Sequence, residues 1–515
     1  MRVAVIGAGA SGLTALKACL EEGLDAVCFE KTSELGGLWT YREQNVDGVA
    51  SVMFSTTTNT SKEMSAFSDF PPPPRYPNYM HHSLVSKYLN DYADAFSLRR
   101  HVRCCHSVIR LSPTHDHGRN GPLDVVVRDE EKGSTFEHTF DAVMVCTGYD
   151  HTPLETKFFG LSDQFKGRVL HARDYKRPAG FQDSRVLVIG LGNSGCDIAV
   201  ELSAVADACC RFSQIVILIL SKSTSEDSVF FEDDPSVGFA VDVVILATGY
   251  TAHFPFIDGS VLPVRDNRVR LYKYVFPSHM QRGTLAFIGA VQPEGSLFPI
   301  SELQSRWAAG VFAGRYDLPT IAAMENYVDC KDQLTKGRYI SGSRHARQVD
   351  WIDYMDEVAE LVGCKPRLGR LLLTDPALAW ACVFGPCLPY QYRLHGARPY
   401  PKARQQIMNF WENCKLGLKT RKLPWESDAV SGLAVPVLDP KVAVMGLSFL
   451  AAGLRVKALR LLLLKCLTFV LQLARLLTAP ISAKRMVSVS QTVKGYLGAL
   501  SRTQTLHGAV SRGLI

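Results

Sequence analysis

Two glycine-rich turns and one carboxylate carry the chemistry that is most directly legible in this chain. Gly7-Ala8-Gly9-Ala10-Ser11-Gly12 follows the apolar, β-branched run Val3 to Ile6 and leads into the helix-forming residues Leu13 to Glu22. In that setting Gly7 permits the tight turn, Gly9 lets backbone amides approach a pyrophosphate, and Gly12 lets helix and strand pack closely. The helix N-terminus favours the negative charge. A second strand, Asp25 to Phe29, ends on Glu30, 18 residues past Gly12, where a carboxylate can accept both hydroxyl protons of an adenosine ribose. Gly36 and Gly37 follow where backbone would pass close to a bound cofactor, with Leu38 and the aromatic Trp39 beside them. The whole stretch reads as a dinucleotide-binding βαβ unit.

A second copy of the device lies further along. Strand Arg185 to Ile189 runs into Gly190-Leu-Gly192-Asn193-Ser194-Gly195, which opens a helix from Cys196 to Ala204. By the same reasoning this turn cradles a second pyrophosphate, with Cys196 and Asp197 as further candidate contacts. Two turns of this kind imply two dinucleotides.

The elements that must position these turns can be read around them. Phe140 to Tyr149 and Val241 to Tyr250 are two strand-to-Thr-Gly-Tyr copies about a hundred residues apart. They look like two crossings between a host domain and an inserted one. The expected division is therefore 1–153 and 242–425 for the host, 154–241 for the insert and 426–515 for a tail. The fold class is α/β, with two Rossmann-like dinucleotide-binding domains and a C-terminal hydrophobic, membrane-associated helix. Between Tyr41 and His82 a stretch rich in Ser, Thr and Pro, including Asn59 and the run Pro71 to Pro74, reads as a long functional loop. Leu84 to Phe96 reads as a helix, and Asp124 to Arg128 with Thr135 to Thr139 as a hairpin. Leu285 to Gly289 is expected as a returning strand. Helices are expected over Ser301 to Phe312, Thr320 to Leu334, Val349 to Leu361 and Pro376 to Val383.

Charge separates body from tail. The net +7 hides eleven Lys/Arg and no Asp/Glu between Lys441 and Ile515, which leaves 46 basic against 50 acidic residues before it. A nucleic-acid binder would carry a basic patch with interleaved aromatics on its folded body, and no such run is present. The tail's longest uncharged run, Val442 to Leu454, has 13 residues, short of the ~18 needed to span a bilayer. At 100° per residue, Lys457, Arg460, Lys465 and Arg475 fall within about 140° of one another, which suits an interfacial helix with snorkelling cations. The fourteen cysteines are scattered without a C-x-x-C and read as reduced thiols of a cytosol-facing protein. No signal peptide, metal-ligand cluster or hydrolase triad is read.

Several motifs together resemble the flavin-containing monooxygenases of the dimethylaniline type, over about residues 1 to 425. They are the first glycine turn, Phe165-x-Gly167-x-x-x-His171-x-x-x-Tyr175, the second glycine turn, Ala247-Thr-Gly-Tyr250 and Phe298-Pro-Ile-Ser-Glu-Leu-Gln-Ser-Arg-Trp307. Leu372 to Pro376 and Phe384 to Arg393 extend the likeness. The resemblance implies FAD at the first turn and NADPH at the second. NADPH would reduce the flavin, O2 would form a C4a-hydroperoxide, and a soft nitrogen or sulfur nucleophile of a lipophilic small molecule would attack it. Asn59, with Thr58 beside it, matches the family's asparagine near the flavin; His171 reads as structural. The family's hydrophobic C-terminus implies the cytosolic face of the endoplasmic reticulum membrane.

The chain departs from that pattern in one place. Arg185 to Val241 is only 57 residues, and a middle portion is missing near Ser221 to Asp227. Ser223 stands where the family places a basic residue for the 2′-phosphate; Lys222, next to it, would substitute as a point charge. Two alternatives stay open: Baeyer–Villiger oxygenation of ketones, and a catalytically defective membrane-bound flavoprotein. A domain lacking part of its core would also expose apolar surface and favour a homo-oligomer.

Overall fold

The computed structural model describes residues 1–114, 121–149, 151–154, 165–190, 192–205, 228–230, 238–251, 254–259, 261–265, 268–338 and 347–419. Its first unit is the one expected: β1 (Arg2–Ile6), α1 (Ala10–Glu21) and β2 (Asp25–Phe29). Residues 3 to 6 are buried without alternation, because β1 is covered on both faces. The chain continues through α2 (His82–Ala95), β3 (Val102–Arg103), the antiparallel strands β4 (His106–Pro113), β5 (Leu123–Asp129) and β6 (Thr135–Phe140), and then β7 (Ala142–Val145).

A five-stranded parallel sheet is ordered Leu285–Phe287, β7, β1, β2, β3. The chain leaves β1 for β2 on one side and comes back to β7 on the other. A crevice at the C-terminal end of β1, where the strand order reverses, is therefore built into the topology. One apolar core includes Ala4, Ile6, Val143, Val145 and Phe287, joined by Leu111, Val125 and Val127 of the antiparallel sheet.

The next segment builds a second sheet from β8 (Thr152–Pro153) onwards. β9 (Arg168–His171) and β10 (Val186–Ile189) are followed by α3 (Asn193–Leu202), a short antiparallel pair β11 (Ser228–Phe230) and β12 (Gly238–Ala240), then β13 (Val243–Leu246) and β14 (Tyr250–Thr251). The parallel order is β9, β13, β10. β10 corresponds to β1 and β13 to β7. The match extends to the strand starts: the Arg2 amide donates to Asp141 Oδ2 at 2.6 Å, and the Arg185 amide to Asp242 Oδ2 at 2.7 Å. Among the described residues β10 has no neighbour on the side where β2 stands in the first sheet. The stretch Ser221 to Asp227, with Lys222 and Ser223, lies outside the described residues. β8 and β14 pair antiparallel, so the stretches that follow or end the two Thr-Gly-Tyr copies run side by side.

Helices α4 (Leu297–Phe312), α5 (Ile321–Arg338), α6 (Trp351–Val362), α7 (Leu368–Thr374), α8 (Pro376–Phe384), α9 (Ala403–Met408) and α10 (Phe410–Lys419) complete the described chain. Four helices begin earlier than their apolar patterns suggest: α1 at Ala10, α2 at His82, α3 at Asn193 and α4 at Leu297. In α1 and α3 polar or small residues form the first turn, whose amides need no intrahelical partner; α4 instead opens on Leu297 to Ile300, where Pro299 is tolerated because a first-turn amide is not needed.

The chain divides into two compact units. Met1–Leu378 with Leu388–Trp425 holds both sheets. The second, Ala379–Cys387 with Glu426–Ile515, is described only over Ala379–Cys387, where Trp380 packs on Phe384 with ring centroids 4.1 Å apart. The expected interfacial helix of the tail lies outside the described residues. Among those described, no helix is long and apolar enough to cross a membrane.

Candidate functional site

The first turn is built so that only glycine fits. Gly7 has φ +98°, and a Cβ there would stand 2.9 Å from the Cys146 carbonyl oxygen; a Cβ on Gly12 would stand 1.7 Å from the oxygen of Gly7. Gly9 is the N-cap of α1 and no side chain caps the helix, so its first-turn amides face the crevice. The Gly36-Gly37 turn lies directly over it, with a Cβ on Gly37 only 3.0 Å from the Cα of Gly9, and the Gly36 amide donating to the Ala8 oxygen at 3.0 Å. Backbone therefore packs on backbone here, and side chains at Gly7, Gly12 and Gly37 would collide with it.

Glu30 is buried beside this turn and already braces it. Its Oε2 accepts the Ala8 amide at 2.7 Å, while Oε1 accepts the amide and hydroxyl of Thr32 at 2.9 and 2.8 Å. One lone pair on Oε2 remains for a ribose hydroxyl, and a second hydroxyl would have to take over from Thr32. Ala8 and Ser11 already have partners within the protein. Ala8 spends its amide on Glu30 and its carbonyl on Gly36; the Ser11 hydroxyl turns away to Ser301 of α4 at 3.0 Å, so Ser11 offers the crevice only its backbone. Ala10 occupies the first helical position, Leu38 is exposed, and Trp39 meets Phe298 edge-on at 6.0 Å.

The second turn repeats the first. Gly190 has φ +117°, a Cβ there would stand 2.3 Å from the Ala247 oxygen, and one on Gly195 would stand 2.1 Å from the oxygen of Gly190. Gly192 is the N-cap of α3, again without a capping side chain, and Asn193, Ser194 and Gly195 form the first turn. Cys196 is half-buried, its amide bonded to the Gly192 oxygen. Asp197 is exposed, and partial desolvation, followed by Glu201, pushes its pKa up. The F-G-H-Y signature closes the core beneath this turn. His171 Nδ1 accepts the Arg173 amide at 3.1 Å, so its Nε2 carries the proton and donates to the Gly249 oxygen at 3.1 Å; burial pushes its pKa down and keeps it a neutral strut. Tyr175 is buried and donates to Glu201 Oε2 at 2.8 Å.

Asn59 sits on a bulge between two pinned strands of loop. The Thr58 amide donates to Met80, the Met80 amide to the Thr58 hydroxyl, and the Lys62 amide to Asn78, at 2.8, 2.9 and 2.6 Å. Thr58 is thereby buried, with its amide and hydroxyl both bonded to Met80 of the scaffold. Asn59, between the pins, is exposed.

A buried ion cluster was not read in the sequence. Glu302 of α4 accepts the Ser68 amide at 2.6 Å, the Ser68 hydroxyl at 2.7 Å and Arg393 Nη2 at 2.9 Å. Arg393 also meets Asp69 at 2.9 Å, and Asp69 accepts Lys17 of α1 at 2.7 Å. The charged letters inside the Phe298 to Trp307 motif, and Lys17 in an otherwise apolar helix, were its only signals.

The family described as flavin-binding monooxygenase-like matches residues 1–225 and 209–451. The chain is 38% identical to flavin-containing monooxygenase 5 of Cavia porcellus, over 84% of this chain and 96% of that protein. It is 36% identical to dimethylaniline monooxygenase [N-oxide-forming] 2 of Rattus norvegicus, over 88% and 99%. S-allyl-L-cysteine S-oxygenase from Allium sativum shares the fold with a TM-score of 0.62 and 27% identity, over 80% of this chain and 98% of that one. The alignment with the Cavia protein has 516 positions but takes in 84% of 515 residues, about 433, so roughly 80 positions fall opposite no residue here. On the doubled glycine turn and these matches, the chain belongs to the flavin-containing monooxygenases.

Proposed function

We propose that this protein is an FAD- and NADPH-dependent monooxygenase that oxygenates soft nitrogen or sulfur nucleophiles of lipophilic small molecules. The observation that carries the reading is the duplicated device: two parallel sheets, each ending in a glycine turn that excludes side chains and opens an uncapped helix. The residues present fit both nucleotides. Gly7, Gly9 and Gly12 with the α1 amides would hold the FAD pyrophosphate, Glu30 its ribose, and Gly37 would let backbone approach the cofactor. Gly190, Gly192, Asn193, Ser194 and Gly195 at the start of α3 would hold the NADPH pyrophosphate, with Cys196 and Asp197 flanking. Lys222 is the candidate for the 2′-phosphate. FAD, when bound, supplies hydride acceptance and O2 activation. The protein binds, orients and excludes water, and Asn59, exposed on its bulge, would donate its amide N–H toward the reacting oxygen.

The inserted half, 154–241, is read as the nicotinamide half and the rest of the body as the flavin half. The names of two relatives, one N-oxide-forming and one an S-oxygenase, support nitrogen and sulfur nucleophiles over ketones. The basic apolar tail supports attachment to the cytosolic face of the endoplasmic reticulum membrane. Leu373, Trp411 and Leu418, at 85%, 59% and 66% exposure, add apolar surface toward the end of the body.

A second reading, a flavoprotein that no longer turns over, is favoured by the roughly 80 unmatched positions and by the two family matches changing over at residues 209 to 225. Incubating the FAD-loaded protein with NADPH, labelled O2 and methyl p-tolyl sulfide separates them. Labelled sulfoxide supports the monooxygenase; NADPH left unoxidised supports the second reading, and NADPH oxidised with release of peroxide alone contradicts both.

A further inference from the structure

Three residues after Asn59, Lys62 is fully buried, and its ammonium spends its three protons on neutral carbonyl oxygens. These belong to Pro74 at 3.0 Å, Tyr76 at 2.9 Å and Asn413 of α10 at 3.0 Å; the Glu63 carboxylate is further off, at 3.8 Å. Asn78, whose carbonyl pins the Lys62 amide, reaches the same helix through its side chain, donating to the Cys414 oxygen at 3.0 Å. α10 approaches so closely that a Cβ on Gly417 would stand 2.6 Å from Asn78 Oδ1 and 2.9 Å from Lys62 Nζ. One end of the Asn59 bulge is thus clamped to α10, the last described helix before the basic apolar tail.

We propose that Lys62 is a positioning residue for the oxygen chemistry: by tying the bulge to α10 and to the Pro74–Tyr76 turn, it fixes where Asn59 presents its amide. Loosening the clamp lets Asn59 move off the reacting oxygen. Two electrons and two protons then pass from the reduced flavin to O2, giving oxidised flavin and hydrogen peroxide. This inference rests on the proposed function, and specifically on Asn59 facing the flavin.

The test uses FAD-loaded full-length protein reduced by light, which bypasses the nicotinamide half, and then mixed with O2 without substrate. Flavin reoxidation and peroxide release are followed in Lys62→Met, Gly417→Ala, Asn59→Ala and the two double variants with Asn59→Ala. Hydrogen exchange of the Thr58 and Lys62 amides is measured in parallel. Both Lys62→Met and Gly417→Ala are expected to exchange and reoxidise roughly tenfold faster, and to add nothing in the Asn59→Ala background. Faster exchange with unchanged reoxidation, or effects that add to Asn59→Ala, would leave Lys62 a stabilising lysine only and overturn the proposal. If Lys62→Met does not retain FAD, Gly417→Ala decides, because alanine strains the contact while favouring the helix. Failure of the wild type to form sulfoxide with NADPH would count against the proposed function and leave this measurement readable.

Discussion

Gly12 and Gly195 occupy the same place in two copies of one turn, and the two copies make separable predictions. A methyl group at Gly12 collides with the Gly7 oxygen, so Gly12→Ala should lose FAD during gel filtration, read from flavin absorbance. Gly195→Ala, which collides with Gly190, should keep FAD and lose reduction by NADPH. Glu30→Gln replaces an acceptor of three hydrogen bonds by a group that is half donor. It should weaken FAD binding by roughly tenfold, about the cost of one unmade buried hydrogen bond, as measured by fluorescence titration. These residues were legible because the chemistry leaves no other side chain room. The partners of the Ser11 and Thr58 hydroxyls were not, since a hydroxyl turns toward whichever partner tertiary structure supplies, and Ser301 and Met80 lie 290 and 22 residues away.

At the scale of elements, α4 holds the site together through charges the apolar pattern hides. Burial raises the pKa of Glu302, but Arg393, Lys17 and Arg306, with the Ser68 amide, outweigh it and bring it down from 4.5 to about 2. A carboxylate lowered by folding stabilises fully above its unfolded value and loses that contribution as the pH falls from about 4.5 toward 2. Asp69 is pushed up, by burial and then by Glu302, so it takes a proton first and softens the start of the loss. Melting temperature between pH 5 and 2.5 should therefore fall more steeply for wild type than for Glu302→Gln, which is already destabilised at pH 7 by leaving Arg393 short of a partner. The Phe298 to Trp307 motif was recognisable as a family signature, yet its physical content is this cluster and the Gln304 bridge from the Gly289 amide to Tyr354. Helix and strand types were legible from periodicity, and the starts of α1 and α3 less so, because their first turns are built from small or polar residues with no apolar period.

For the whole molecule, a mildly acidic body carries a basic apolar tail, and the tail should decide where it resides. Full-length protein should float with phosphatidylserine vesicles at 0.1 M salt and lose most of that binding at 1 M, where screening shortens to ~3 Å; a chain ending at residue 440 should float poorly at either. The two-turn plan was visible in the sequence because both copies keep their glycines. The state of the nicotinamide half was not, since a shortened segment leaves no residue pattern to read where residues are absent. That half decides the central claim, and anaerobic stopped-flow reduction of the FAD-loaded protein by NADPH, with NADH as control, tests it most directly. The account predicts that NADPH bleaches the flavin and that NADH does so far more slowly. FAD that stays bound and oxidised at millimolar NADPH would contradict it and leave a flavoprotein without turnover.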